Sequence, residues 1–114
     1  MSIIFSKISG DFNATEILSA VNSALTSPNY EKGFRVLLDK RKIRRPATTE
    51  QIEAMANLMQ RWPDVFRGSK WAAVVSDDAS YGMIRMLSYL VDHVPIEVDV
   101  FRDYDAAIKW LSIR

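Results

Sequence analysis

Cysteine is absent from this chain, which excludes a disulfide framework, a thiolate zinc site and a cysteine nucleophile together. Histidine occurs once, as His93. A metal centre would therefore have to be built almost entirely from carboxylates, and no metal site is expected. Glycine and proline number four each, too few for a collagen-like or low-complexity chain, and no glycine-rich phosphate loop is present. No apolar run approaches the roughly 20 residues that cross a bilayer. The opening Met1-Ser2-Ile3-Ile4-Phe5-Ser6-Lys7 lacks the basic start and long apolar stretch of a secretory signal. These absences point to a soluble, cytoplasmic protein that works without a cofactor.

What remains is an ordinary globular composition, 48% hydrophobic and 25% charged over 114 residues. That length gives one domain spanning residues 1–114. The net charge of +1 conceals an uneven distribution. Lys40-Arg41-Lys42-Ile43-Arg44-Arg45 holds five of the 15 basic residues and no acid, leaving ten bases against 14 acids elsewhere. One basic loop thus sits on a mildly acidic body. An isoelectric point near 8.0 and the lack of a broad basic face argue against nucleic acid as the partner.

Four strand-plus-helix units fill the chain. Residues 3–8 read as a strand ended by Gly10, and Asn13 with Glu16 opens a helix on which Ile17, Leu18, Val21, Ala24 and Leu25 recur at helical spacing. Ser27-Pro28-Asn29 stops it. Residues 34–39, nearly continuous in apolar side chains, suit a strand covered on both faces. Thr48 or Thr49 then caps a helix whose apolar face is Ile52, Met55, Ala56, Met59 and Trp62, with Pro63 closing it. Residues 71–75 form a third strand. Its helix follows Ser76-Asp77-Asp78-Ala79-Ser80, carries Met83, Met86, Leu87, Leu90 and Val91 inward, and ends near Pro95. Residues 96–101 alternate apolar with acidic, as at a sheet edge, and Asp103 caps a last helix packed by Ala107, Trp110 and Leu111. Strands spaced by such helices predict right-handed crossovers and a mostly parallel four-stranded sheet under about four helices. The tryptophans and methionines are expected to serve packing.

Several segments together resemble a family. Phe34-Arg35-Val36-Leu37-Leu38-Asp39, Tyr81-Gly82-Met83-Ile84-Arg85-Met86 and Val98-Asp99-Val100-Phe101-Arg102-Asp103, leading into Ala106-Ala107-Ile108-Lys109-Trp110-Leu111, are similar to the small bacterial STAS-like proteins allied to the anti-sigma-factor antagonist SpoIIAA. The resemblance implies a β-α superhelix of about four turns and a non-catalytic module that binds a protein partner or a small ligand. In phosphorylatable members a strand ending in Asp leads to an Asp-Ser-Ser-Gly turn whose serine accepts phosphate. Here the strand ends at Asp39 but Pro46-Ala47-Thr48-Thr49-Glu50 precedes the helix, so capping by Thr48 with Gln51 outranks a phosphoacceptor role for Thr48 or Thr49.

The basic loop is the leading candidate site. Lys40, Arg41, Lys42, Arg44 and Arg45, near a helix N-terminus at the ligand-bearing edge of a parallel sheet, would reinforce one another against a phosphate, an acidic protein patch or an anionic surface. Tyr81 and Arg85 join them as ligand or partner contacts, since the Ser80-Tyr81-Gly82 turn opens a helix and Arg85 can reach Asp77, Asp78 or a ligand carboxylate. Asp77 and Asp78 are adjacent, share no face and read as caps rather than as paired catalytic acids. His93 suits the negative end of its helix. Three classes of function follow in order: a regulatory or binding module for a protein partner or anionic ligand; a carrier of a small hydrophobic or lipid-like ligand; and an enzyme acting through Asp39, Asp77 and Tyr81. A homodimer through an exposed fourth strand is compatible with each.

Overall fold

Four parallel strands pair in the order in which the chain makes them. The computed structural model describes residues 3–7, 14–26, 33–43 and 45–113, and of residues 3–7, 14 and 16 the backbone only. β1 (Ile3–Lys7), β2 (Arg35–Asp39), β3 (Lys70–Val74) and β4 (Glu97–Phe101) alternate with α1 (Ala14–Thr26), α2 (Thr49–Arg61), a one-turn α3 (Pro63–Phe66), α4 (Asp78–Leu90) and α5 (Tyr104–Ser112). The sheet order is β1-β2-β3-β4, with Ile3, Arg35, Lys70 and Glu97 in line across it. The expected four parallel strands are present; among the described residues the helices number five, because Pro63, which was expected only to close α2, takes the first position of α3. Ile8, Gly10, the Asn13 and Glu16 capping pair and the Ser27-Pro28-Asn29 turn lie outside the described side chains.

Right-handed crossovers between strands that always step the same way lay the intervening helices on one face. Val36, Leu38, Trp71, Ala73 and Val100 accordingly pack with Ile17 of α1, Met55 of α2 and Ile84 and Leu87 of α4. Trp71 is 2% exposed at the centre of this layer, with Phe34 and Phe66 each 6.0 Å away between ring centroids. Only the helix after the last strand is free to fold onto the other face. There Ala107 and Leu111 of α5 cover Leu37, Ala72 and Val74.

Several apolar side chains expected inside lie outside. Leu18 and Leu25 of α1 are 45% and 51% exposed: they sit one step round from Ile17 and Ala24, and α1 is first in its row, with a helix neighbour on one side only. Trp62 is 43% exposed because α2 ends at Arg61 and Trp62 leaves helical phase (φ −127°, ψ 64°). Leu90 ends α4 in solvent, while Ile84 takes the inward place.

Lys70 fastens α5 to the sheet. Buried at the start of β3, it donates from Nζ to the carbonyls of Ile113 (2.7 Å) and Trp110 (3.2 Å) and lies 4.8 Å from the Trp110 ring centroid. A cation there meets the negative end of the helix. Gly33 and Gly68 adopt φ of +86° and +76° in the approaches to β2 and β3. A Cβ on Gly33 would come within 3.2 Å of the Gly68 carbonyl oxygen, so the close approach of the two backbones requires glycine. Among the described residues, no helix is long and apolar enough to cross a membrane.

Candidate binding surface

The C-terminal ends of β2, β3 and β4 form one edge, and the loops leaving them carry most of the residues singled out above. β2 holds its pairing one residue past Asp39, where the Lys40 N–H donates to the Val74 carbonyl at 2.8 Å. Strand alternation carries the Lys40 side chain to the same side as Leu38, and it is 1% exposed. Lys40 is therefore not a surface cation, contrary to its place in the basic run. Ile43 and Ala47 are buried as well, and the Ile43 N–H donates to the Lys40 carbonyl (3.2 Å). These three anchors leave Arg41, Lys42 and Arg45 turned outward. Arg44 lies outside the described residues.

Arg41 is held in place. Its guanidinium donates twice to Asp39, Nε to Oδ1 at 2.8 Å and NH2 to Oδ2 at 2.7 Å, and stacks 5.0 Å from the Tyr104 ring centroid. The hydrogen bond to Asp39, with its charge, raises the Arg41 pKa above the ordinary guanidinium value. The Arg41 carbonyl accepts from the Ser76 hydroxyl at 2.9 Å, tying the β2–α2 loop to the β3–α4 loop. Between these loops runs an open cleft of about 610 Å³, lined by Arg41, Lys42, Ile43, Ser76 and Asp77.

Helix caps occupy the rest of the edge. Thr48 and Gln51 form a full capping box, with the Thr48 hydroxyl accepting from the Gln51 N–H (3.1 Å) and the Gln51 side chain from the Thr48 N–H (2.8 Å). Asp77 accepts from the Ser80 N–H (2.7 Å) and hydroxyl (3.0 Å), and Asp103 from the Ala106 N–H (3.3 Å). Asp78 turns away to pair with Arg102, whose guanidinium lies 5.0 Å from the Tyr81 ring centroid. Asp77 thus caps the helix as expected, whereas Asp78, in its first turn, serves Arg102 instead. Two similar groupings result: Arg41 on Asp39 and Tyr104, Arg102 on Asp78 and Tyr81.

Arg102 and Tyr104 were missed by sequence reasoning. Their position just after β4, at the same edge as the basic loop, was the available signal. Arg85 does not join this edge. Instead of Asp77 or Asp78 it meets Tyr89, with its NH2 3.4 Å from the hydroxyl and its guanidinium carbon 5.6 Å from the ring centroid, because a residue two turns into α4 faces along the helix rather than back over its start. His93 is exposed in the turn beyond α4 rather than in its last turn. Among the described residues no three histidine or carboxylate side chains gather as a metal cluster would require.

A family model described as SpoIIAA-like matches residues 3–112 of the chain. Comparisons with curated proteins and with solved structures gave no match.

Proposed function

The chain belongs to the SpoIIAA-like family, and from that premise we propose that it is a non-catalytic, cytoplasmic STAS-type regulatory domain that recognises an acidic protein partner or anionic ligand through its basic loop. The observation that carries this reading is the anchoring of the loop: Lys40, Ile43 and Ala47 are buried, so Arg41, Lys42 and Arg45 are presented on a fixed frame beside the cleft. A preformed cationic surface loses less ordering entropy on binding than a free loop would. The helix ends favour this part of the edge. α4 and α5 are capped by their own carboxylates, which repel an incoming anion, whereas the α2 cap is the neutral hydroxyl of Thr48. Arg44, by its position in sequence, adds to the same loop.

The groups that an enzyme reading would use have structural partners: Asp39 holds Arg41, Asp77 caps α4, and Tyr81 lies under Arg102. The apolar gap among Met55, Met59, Ile84 and Leu87 amounts to about 10 Å³, the space of a single water, so it lends no support to a lipid carrier. Thr48 is read as a cap and Thr49 as the first residue of α2 rather than as phosphoacceptors, since the capping box explains Thr48 fully.

Affinity purification from the native cell with the wild-type chain and with an Arg41→Ser, Lys42→Ser, Arg45→Ser variant tests the reading. Partners recovered at low salt by the wild type should be lost with the variant. Recovery of the same partners by both would reject the basic loop as the recognition surface.

A further inference from the structure

We propose that the free edge of β4 is a separate docking site that takes an extended, lysine-bearing segment of a protein partner as a fifth strand. β4 ends the sheet, and its hydrogen bonds fix which groups it has to offer. The Glu97 N–H donates to the Ser69 carbonyl (3.0 Å) and the Phe101 carbonyl accepts from the Val75 N–H (2.9 Å), so the backbone groups of Glu97, Asp99 and Phe101 point at β3. By alternation those of Val98 and Val100 point away from it. The Val100 N–H donates to the Asp99 carboxylate of its own strand at 2.8 Å. No described residue meets the Val98 N–H and carbonyl or the Val100 carbonyl.

The edge is also walled. A groove of about 340 Å³ runs along it between Arg85 and Tyr89 of α4, Asp92 in the turn beyond, and Trp110 of α5. Tyr89 is 69% exposed there, the most exposed of the large apolar side chains among the described residues. Edge strands are normally blunted by charged side chains, proline, a bulge or a covering element. Glu97-Val98-Asp99-Val100-Phe101 is guarded by acids: Glu97 and Asp99 repel another acidic edge but attract a basic strand, and an incoming carbonyl can displace the Asp99 carboxylate from the Val100 N–H. An open strand between two walls is the geometry of strand addition.

Charge and alternation select the occupant. Asp92, Glu97 and Asp99 outnumber Arg85, so the groove is net acidic. Glu97 and Asp99 share the α5 side of the sheet, and Val98 and Val100 the α4 side, so an added strand finds acids across from every second residue and valines across from the others. Lysine alternating with a β-branched residue meets both. A second copy of β4, paired about a two-fold axis, would set acidic rows against each other and is disfavoured.

The probe is a blocked heptapeptide of alternating lysine and valine, titrated into the isotope-labelled chain and followed by amide NMR. The Val98 and Val100 amides should shift saturably and gain exchange protection. Val98→Pro removes the outward N–H without touching the β3 ladder, so it should weaken binding at least about tenfold with the fold intact by circular dichroism. Where that variant does not fold, Glu97→Lys with Asp99→Lys supplies the same readout through charge. A glutamate-valine heptapeptide should bind at least about tenfold more weakly than the lysine one. The proposal is overturned by the absence of saturable shifts at millimolar peptide, by shifts confined to residues 41–45, by equal binding of the two peptides, or by equal affinity of wild type and a folded variant. Concentration-dependent dimers abolished by Val98→Pro would assign the edge to a second copy and overturn it as well.

Discussion

Replacing Lys70 by methionine removes the charge that fastens α5 while keeping most of the side chain's volume. Three effects compete. The ammonium gives up two hydrogen bonds from a charged donor, each worth about 1.5–3 kcal/mol, and its attraction to the helix end, worth about 0.3–2 kcal/mol. Against this, a cation that is 6% exposed no longer has to be desolvated, and a methionine gains from burial. The acceptors decide the balance. The Trp110 carbonyl keeps the Ile113 N–H at 3.2 Å, and Ile113, at 56% exposure, lies where its own carbonyl can find water. Neither oxygen is left fully unpaired, so the net loss should be near the value of one ordinary buried hydrogen bond, about 1–2 kcal/mol. Urea unfolding should show that loss in the midpoint with the slope unchanged. Amide exchange should place it in α5, whose protection falls while that of α2 and α4 holds. A variant as stable as the wild type, or more so, would show that desolvation outweighs the helix-end bonds.

Thr48→Ala should cost about 1 kcal/mol in urea unfolding, and Asp77→Ala about 1–2 kcal/mol, since Asp77 caps α4 and also satisfies the buried Ser80 hydroxyl. Intact-mass spectrometry of the protein from its native cell should show no phosphate on Thr48 or Thr49. Gly33→Ala should destabilise more than Gly68→Ala, since a new Cβ meets the Gly68 oxygen at 3.2 Å in the first case and nothing nearer than 3.6 Å in the second; calorimetric midpoints of the two variants test the order. Because the Arg41 pKa is raised, whatever stability Arg41 contributes is complete below the ordinary guanidinium value and is lost only as pH climbs through a still higher one. Urea midpoints of wild type and Arg41→Ala should therefore run parallel between about pH 6 and 9, and diverging curves would show that the Asp39 pairing titrates in that range.

The strands were legible in the sequence because their signals are local. Apolar runs such as Val36-Leu37-Leu38 and Trp71-Ala72-Ala73-Val74 need no knowledge of the rest of the chain, and the caps at Thr48, Asp77 and Asp103 satisfy N–H groups three residues on. Failures came where a neighbour distant in sequence decides. Leu18 and Leu25 read as core because helical spacing cannot tell a helix with neighbours on both sides from the first in a row. Lys40 read as surface because a run of bases looks solvated, whereas the ladder bond to Val74 extends the strand alternation that buries it. Lys70 drew no notice, its acceptors lying 40 and 43 residues downstream at the end of α5. The Arg102 and Tyr81 contact likewise exists only once β4 stands beside β3.

The sequential strand order has a consequence for how the domain comes into being. Each strand pairs only with the strands before and after it in the chain, so the sheet can lengthen one unit at a time, although every parallel pairing must first close a loop as long as a whole strand-and-helix unit. α5 breaks this progression. It lies across β2 and β3 as well as β4, and so it can settle only after three strands are in place, with Lys70 ready at the foot of β3 to receive its carbonyls. Until then Leu37, Ala72 and Val74 face water. During synthesis these residues form the exposed apolar surface of the nascent sheet, and the step that shields them belongs to α5.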